Sequence, residues 1–112
     1  MGDTAPIEAS DGLKLHAYRW APAGPVKLEV ILLHGYGEHA GRYASVAEIW
    51  NDHGIGVNAA DLRGHGRSEG RRGYVERFSD YHRDAEALHA WVRARGATPV
   101  AVFGHSMGGL LA

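Results

Sequence analysis

At 112 residues the chain is long enough for one small domain, and its 45% apolar and 22% charged composition is that of a globular protein with a modest core. A net charge of −1 offers no electrostatic basis for holding nucleic acid or an anionic membrane. With no cysteine, disulfides, thiolate metal sites and a cysteine nucleophile are all excluded.

In chain order, Met1-Gly2-Asp3-Thr4-Ala5-Pro6 lacks the basic and apolar regions of a signal peptide, and Pro6 stands where a myristoylation signal needs Ser or Thr. No apolar stretch approaches the ~20 residues that cross a bilayer, so a cytoplasmic protein without an integral membrane segment is expected. Asp11-Gly12 predicts a hairpin turn between a short strand near Ile7 and a second strand over 13–20, where apolar residues alternate. Ala21-Pro22-Ala23-Gly24-Pro25 reads as a loop. Val30-Ile31-Leu32-Leu33, a continuous apolar run ending in His34-Gly35, suits a strand covered on both faces. Tyr43, Val46, Ala47, Ile49 and Trp50 form a helical stripe over 42–53, with Gly54 as its C-terminal cap. Residues 55–60 predict another strand, followed by a glycine- and arginine-rich loop from Leu62 to about Arg77. Ser79 is expected to cap a helix whose apolar face is Tyr81, Ala85, Leu88 and Val92, closed by Gly96. Pro99 leads into a last strand, Val100-Ala101-Val102-Phe103. A hairpin followed by strand-helix alternation predicts an α/β fold, a mostly parallel sheet with flanking helices.

Directly after that strand comes Gly104-His105-Ser106-Met107-Gly108. The G-x-S-x-G spacing sets a serine on a sharp strand-to-helix turn with its hydroxyl pushed out of the sheet. The flanking glycines are required because a Cβ there would collide with the neighbouring strand and helix. The pattern proposes a serine nucleophile in an α/β-hydrolase fold.

Three segments together resemble the monoacylglycerol lipase and lysophospholipase group of α/β-hydrolases. They are His34-Gly35-Tyr36-Gly37-Glu38-His39 with Gly41-Arg42-Tyr43, then Asp61-Leu62-Arg63-Gly64-His65-Gly66-Arg67-Ser68-Glu69-Gly70, then Gly104-His105-Ser106-Met107-Gly108-Gly109. The resemblance implies that Ser106 attacks an ester carbonyl and forms an acyl-enzyme. It implies that the backbone N–H groups of Tyr36 and Met107 hold the charge developing on the carbonyl oxygen. In that family the acid and the histidine follow the serine, and only Gly108, Gly109, Leu110, Leu111 and Ala112 follow it here. Residues 1–112 therefore read as a partial α/β-hydrolase domain, the N-terminal half of the fold, ending just after the elbow. The expected function is hydrolysis of carboxylic esters, monoacylglycerol or lysophospholipid, with the isolated chain inactive. The expected partners are a small lipid ester and a missing C-terminal half, or a second copy across an open sheet edge, with no nucleic acid. The alternative is a non-catalytic fragment or interaction module built from a hydrolase.

The remaining polar residues have plainer readings. Ser106 itself could merely cap a helix. His34, His39, His65 and His105 lack zinc-ligand spacing, and Gly64-His65-Gly66 with Gly70 does not match a dinucleotide loop, so neither metal nor cofactor is expected. His34 is expected to order the oxyanion loop and His105 to pack or hydrogen-bond locally. Asp61 and Arg63 read as an internal ion pair, Arg71-Arg72 as a solvated loop, and Glu38, His39 and Arg42 as structural.

Overall fold

The structure, a computed structural model, describes residues 2–112. Strands β1 (Asp3–Glu8), β2 (Lys14–Trp20), β3 (Leu28–Leu33), β4 (Ile55–Ala60) and β5 (Val100–Gly104) form one mixed sheet in the order β1-β2-β4-β3-β5. The hairpin β1–β2 pairs antiparallel, as does β2–β4, while β3 runs parallel to both β4 and β5. Helices α1 (Ala44–Asn51), α2 (Ser79–Arg93) and α3 (Met107–Leu111) complete the element order.

The apolar run in β3 is buried on both faces. Ile31 and Leu33 pack with Tyr81, Leu88 and Val92 of α2 and with Leu111 of α3. Leu32, on the opposite face, packs with Val57, Ala59 and Ala47 of α1. Side chains alternate across a strand, so an unbroken apolar run is stable only between two layers. The chain passes from β3 to β4 on one side and then from β4 to β5 on the other. That reversal of direction makes β3/β5 the switch point of the sheet, where the carboxyl ends of the strands border a crevice.

Four sequence expectations change. The α1 region opens as a 3-10 turn, Ala40–Tyr43, and Ile49 is 61% exposed, leaving Tyr43, Ala47 and Trp50 as the packed stripe. Ser79 is the first residue of α2 and does not cap it; Phe78 holds that position with no side-chain cap bond. Arg63 does not pair with Asp61. Its guanidinium meets Asp84 of α2 at 2.9 Å and Asp11 of the hairpin turn at 2.7 Å, while Asp61 accepts the Ala40 and Arg67 amides at 2.7 and 3.0 Å. Arg72 is more than a solvated side chain: although exposed, its guanidinium donates to the carbonyls of Gly66, Ser68 and Gly70.

Candidate active site

Two turns meet at the switch point. The first follows β3. Gly37, with φ +77°, and the 3.2 Å bond from Glu38 N–H to Gly35 C=O fit a type II turn across Gly35-Tyr36-Gly37-Glu38. Its base is His34, fully buried, whose Nε2 accepts the Leu62 amide at 2.9 Å. Nδ1 therefore carries the proton and donates to Gly35 C=O at 2.7 Å. His34 thus ties the loop after β3 to the loop after β4, and the bond from the Leu62 amide needs the neutral ring. Burial lowers its pKa below the ordinary 6.5. The unfolded chain takes up that proton near 6.5, so the stability is complete above about pH 6.5 and is lost as pH falls towards the folded value. The urea midpoint is expected to drop between pH 7.5 and 5, and to drop less in His34→Gln, which cannot titrate there.

The second turn is the elbow. Ser106 has φ 56° and ψ −118°, and among the described residues it is the only non-glycine with positive φ. Such conformations store on the order of 1–3 kcal/mol and persist only where the surroundings enforce them. Here the enforcement is visible. The His105 amide donates to Leu33 C=O at 3.1 Å, fastening the elbow to β3. A Cβ on Gly108 would overlap the Leu33 carbonyl oxygen and lie 2.8 Å from that of His34. A Cβ on Gly104 would lie 2.6 Å from the Gly109 Cα. Ser106 is exposed and makes no side-chain cap bond to α3, so its hydroxyl is not occupied with capping.

The two turns touch. A Cβ on Gly35 would lie 3.2 Å from both Ser106 Cβ and the His105 carbonyl oxygen. The Gly108 and Gly109 amides donate to His105 C=O and Ser106 C=O, each at 2.9 Å. The Met107 and Tyr36 amides have no acceptor among the described residues. Each therefore leaves a donor open beside the serine. His105 turns away from the serine, with Nδ1 3.2 Å from Glu38 Oε2. No hydrogen bond joins Ser106 to a histidine among the described residues, nor does any group of three His, Cys, Asp or Glu there suit a metal ion. A cavity of about 530 Å³ lies between α2, β3, β5 and α3, and Ser106 does not line it. A smaller cleft of about 360 Å³ adjoins the turn after β3, between Tyr36 and the 64–73 loop.

The family described as serine aminopeptidase, S33, matches residues 24–112. The chain belongs to that family. Among curated relatives, this S33 chain is 43% identical over 91 residues to the monoacylglycerol lipase of Mycolicibacterium smegmatis, covering 80% of the chain and 32% of the relative. It is 38% identical over 104 residues to the monoglyceride lipase of Homo sapiens, covering 92% and 34%. Among solved structures, a thermostable carboxyl esterase from Bacillus coagulans in complex with glycerol superposes with a TM-score of 0.87 at 25% identity, covering 99% of the chain and 38% of the esterase. The chain spans about a third of the length of the curated relatives it matches. Its mixed sheet with flanking helices is therefore part of the α/β-hydrolase fold, and no helix among the described residues is long and apolar enough to cross a membrane.

Sequence reading and structure differ most in what surrounds the site. Asp84 and Asp11, the partners of Arg63, carry no sequence signal, since one sits in an amphipathic helix and the other in a hairpin turn. Glu38 lies inside a recognisable motif, but its contacts with the elbow come from tertiary packing alone.

Proposed function

We propose that Ser106 is the nucleophile of a serine esterase acting on carboxylic esters of lipid-like alcohols, monoacylglycerol or lysophospholipid. The observation that carries this is the strained Ser106 backbone at the switch point, with its hydroxyl free and the turn after β3 packed against it. In this reading Ser106 Oγ bonds to the ester carbonyl carbon and its proton passes to a base. The carbonyl oxygen, now negative, lies between the Tyr36 and Met107 amides. The C–O bond to the alcohol breaks, the alcohol leaves with the proton, and water releases the fatty acid from the acyl-serine. The base and its acid are a histidine and an aspartate supplied from outside these 112 residues, in a further part of the polypeptide or in a partner chain. Support comes from the relatives, named as monoacylglycerol and monoglyceride lipases and three times as long. The exposed edge of β5, with Val102 50% and Phe103 42% exposed, is where further strands or a second copy would add.

A graft tests this. The chain replaces the matching 91-residue segment of the Mycolicibacterium smegmatis lipase. The graft is expected to take a fluorophosphonate probe on Ser106, located by mass spectrometry, and to hydrolyse monoacylglycerol, while the 112-residue chain alone takes none. A folded graft with Ser106 unlabelled favours a non-catalytic module, and labelling of the chain alone overturns the external base.

A further inference from the structure

We infer that Glu38 is a positioning residue that clamps the turn after β3 to the elbow and so sets where the Tyr36 amide stands relative to Ser106. The inference rests on the esterase reading and names a residue that acts through another.

One half-buried carboxylate serves both turns. Its Oε1 accepts the Gly35 amide at 3.3 Å and the Tyr43 hydroxyl, and its Oε2 lies 3.2 Å from His105 Nδ1 and 3.4 Å from the Arg42 guanidinium. The Gly35-to-Glu38 turn is therefore closed from both ends: Glu38 N–H donates to Gly35 C=O, and Gly35 N–H donates back to the Glu38 carboxylate. Both end amides of the turn are thus committed, while the Tyr36 amide within it has no acceptor among the described residues. His105 immediately precedes Ser106, so the other oxygen of the same group faces the elbow. Tyr43, at the junction of the 3-10 turn and α1, anchors the carboxylate to the α1 layer. The Tyr43 hydroxyl bond first, then the Gly35 amide and His105, hold the Glu38 carboxyl below the usual range against the effect of burial. Burial, and then Glu38, push the Tyr43 hydroxyl up to about 12, consistent with a phenol that stays a donor. Arg42 is largely exposed, so its share is small.

Hydrogen exchange on the 112-residue chain and kinetics on the graft test this together. Glu38→Ala is expected to speed exchange of the Gly35 amide at least ~10-fold and to shift the His105 ring signals. In the graft it is expected to lower kcat by about 10- to 100-fold with KM within about twofold, the pattern of an interaction felt in the transition state. Glu38→Gln keeps an acceptor for Gly35 N–H and is expected to recover most of that loss. Unchanged Gly35 exchange in Glu38→Ala overturns the clamp. Unchanged kcat, or a loss that Glu38→Gln does not relieve at all, overturns the positioning role. If the unsubstituted graft is not labelled, the esterase reading fails, and exchange at Gly35 still decides whether the clamp exists.

Discussion

Gly108→Ala is expected to lose the folded elbow, at a cost of about 4 kcal/mol or more, whereas Gly109→Ala next to it is expected to be tolerated. The added methyl at 108 meets backbone: the carbonyl oxygen of Leu33, its carbonyl carbon at 2.6 Å and the His34 carbonyl oxygen at 2.8 Å. Those atoms belong to the end of β3, which is hydrogen-bonded on one side to β4 and on the other to β5. A side chain could rotate away, but a central strand cannot, so either β3 or α3 must move. Single substitutions that cost this much belong to a few mechanisms, and overpacking against rigid backbone is one. At 109 the nearest atom to an added Cβ is the Gly104 carbonyl oxygen at 3.5 Å, an ordinary contact. Alanine there also gains up to ~1 kcal/mol of helix propensity over glycine. Urea denaturation of both variants checks the pair. Equal midpoints for the two would show that α3 does not pack against β3 as described.

Asp84→Ala is expected to destabilise by about 3–5 kcal/mol, and Asp11→Ala by less than about 1 kcal/mol, though both carboxylates hold the same guanidinium. Asp84 is 1% exposed and accepts the Arg63 amide at 2.9 Å as well as side-chain N–H groups at 2.9 and 3.1 Å. Its loss leaves the buried guanidinium with only the surface Asp11 for a carboxylate partner, and a backbone N–H without its acceptor. Burial pushes the Asp84 carboxyl up, and the Arg63 bonds pull it down. The guanidinium, by contrast, is held charged by both carboxylates against burial. The three bonds converging on Asp84 favour the ionised pair over a neutral acid. Asp11 sits at the surface with its side chain 35% exposed, and water replaces most of what its removal takes away. Asp84→Asn, which keeps an acceptor for the Arg63 amide, is expected to fall between the two. Chemical denaturation at pH 7 measures all three, and an Asp84→Ala loss below about 1 kcal/mol would show that the pair contributes nothing net.

Arg63 also illustrates how far sequence reading reached. The loop after β4 announced itself through its glycines and arginines, and Asp61 and Arg63 stood two residues apart with opposite charge. Residues two apart share a face only while the chain stays extended, and here it leaves β4 and turns at Arg63, so Asp61 meets the amides of Ala40 and Arg67 while Arg63 meets Asp84 of α2. Ile49 failed for a related reason. The stripe around α1 was wide enough to include it, but the partner surface, Trp20 with Val57 and Ala59, covers only the Tyr43, Ala47 and Trp50 side.

By itself, the sequence determined the element types, the two-layered burial of β3 and the place of the serine turn. These follow from hydrophobic period, from apolar runs too long for a half-exposed strand, and from glycine spacing, all properties of neighbours along the chain. Which elbow glycine has room for a side chain, which acids neutralise Arg63 and which carboxylate joins the turn after β3 to His105 of the elbow were decided only by tertiary structure. Each depends on atoms brought into contact from distant segments, and a steric overlap or a shared proton donor exists only once those segments meet.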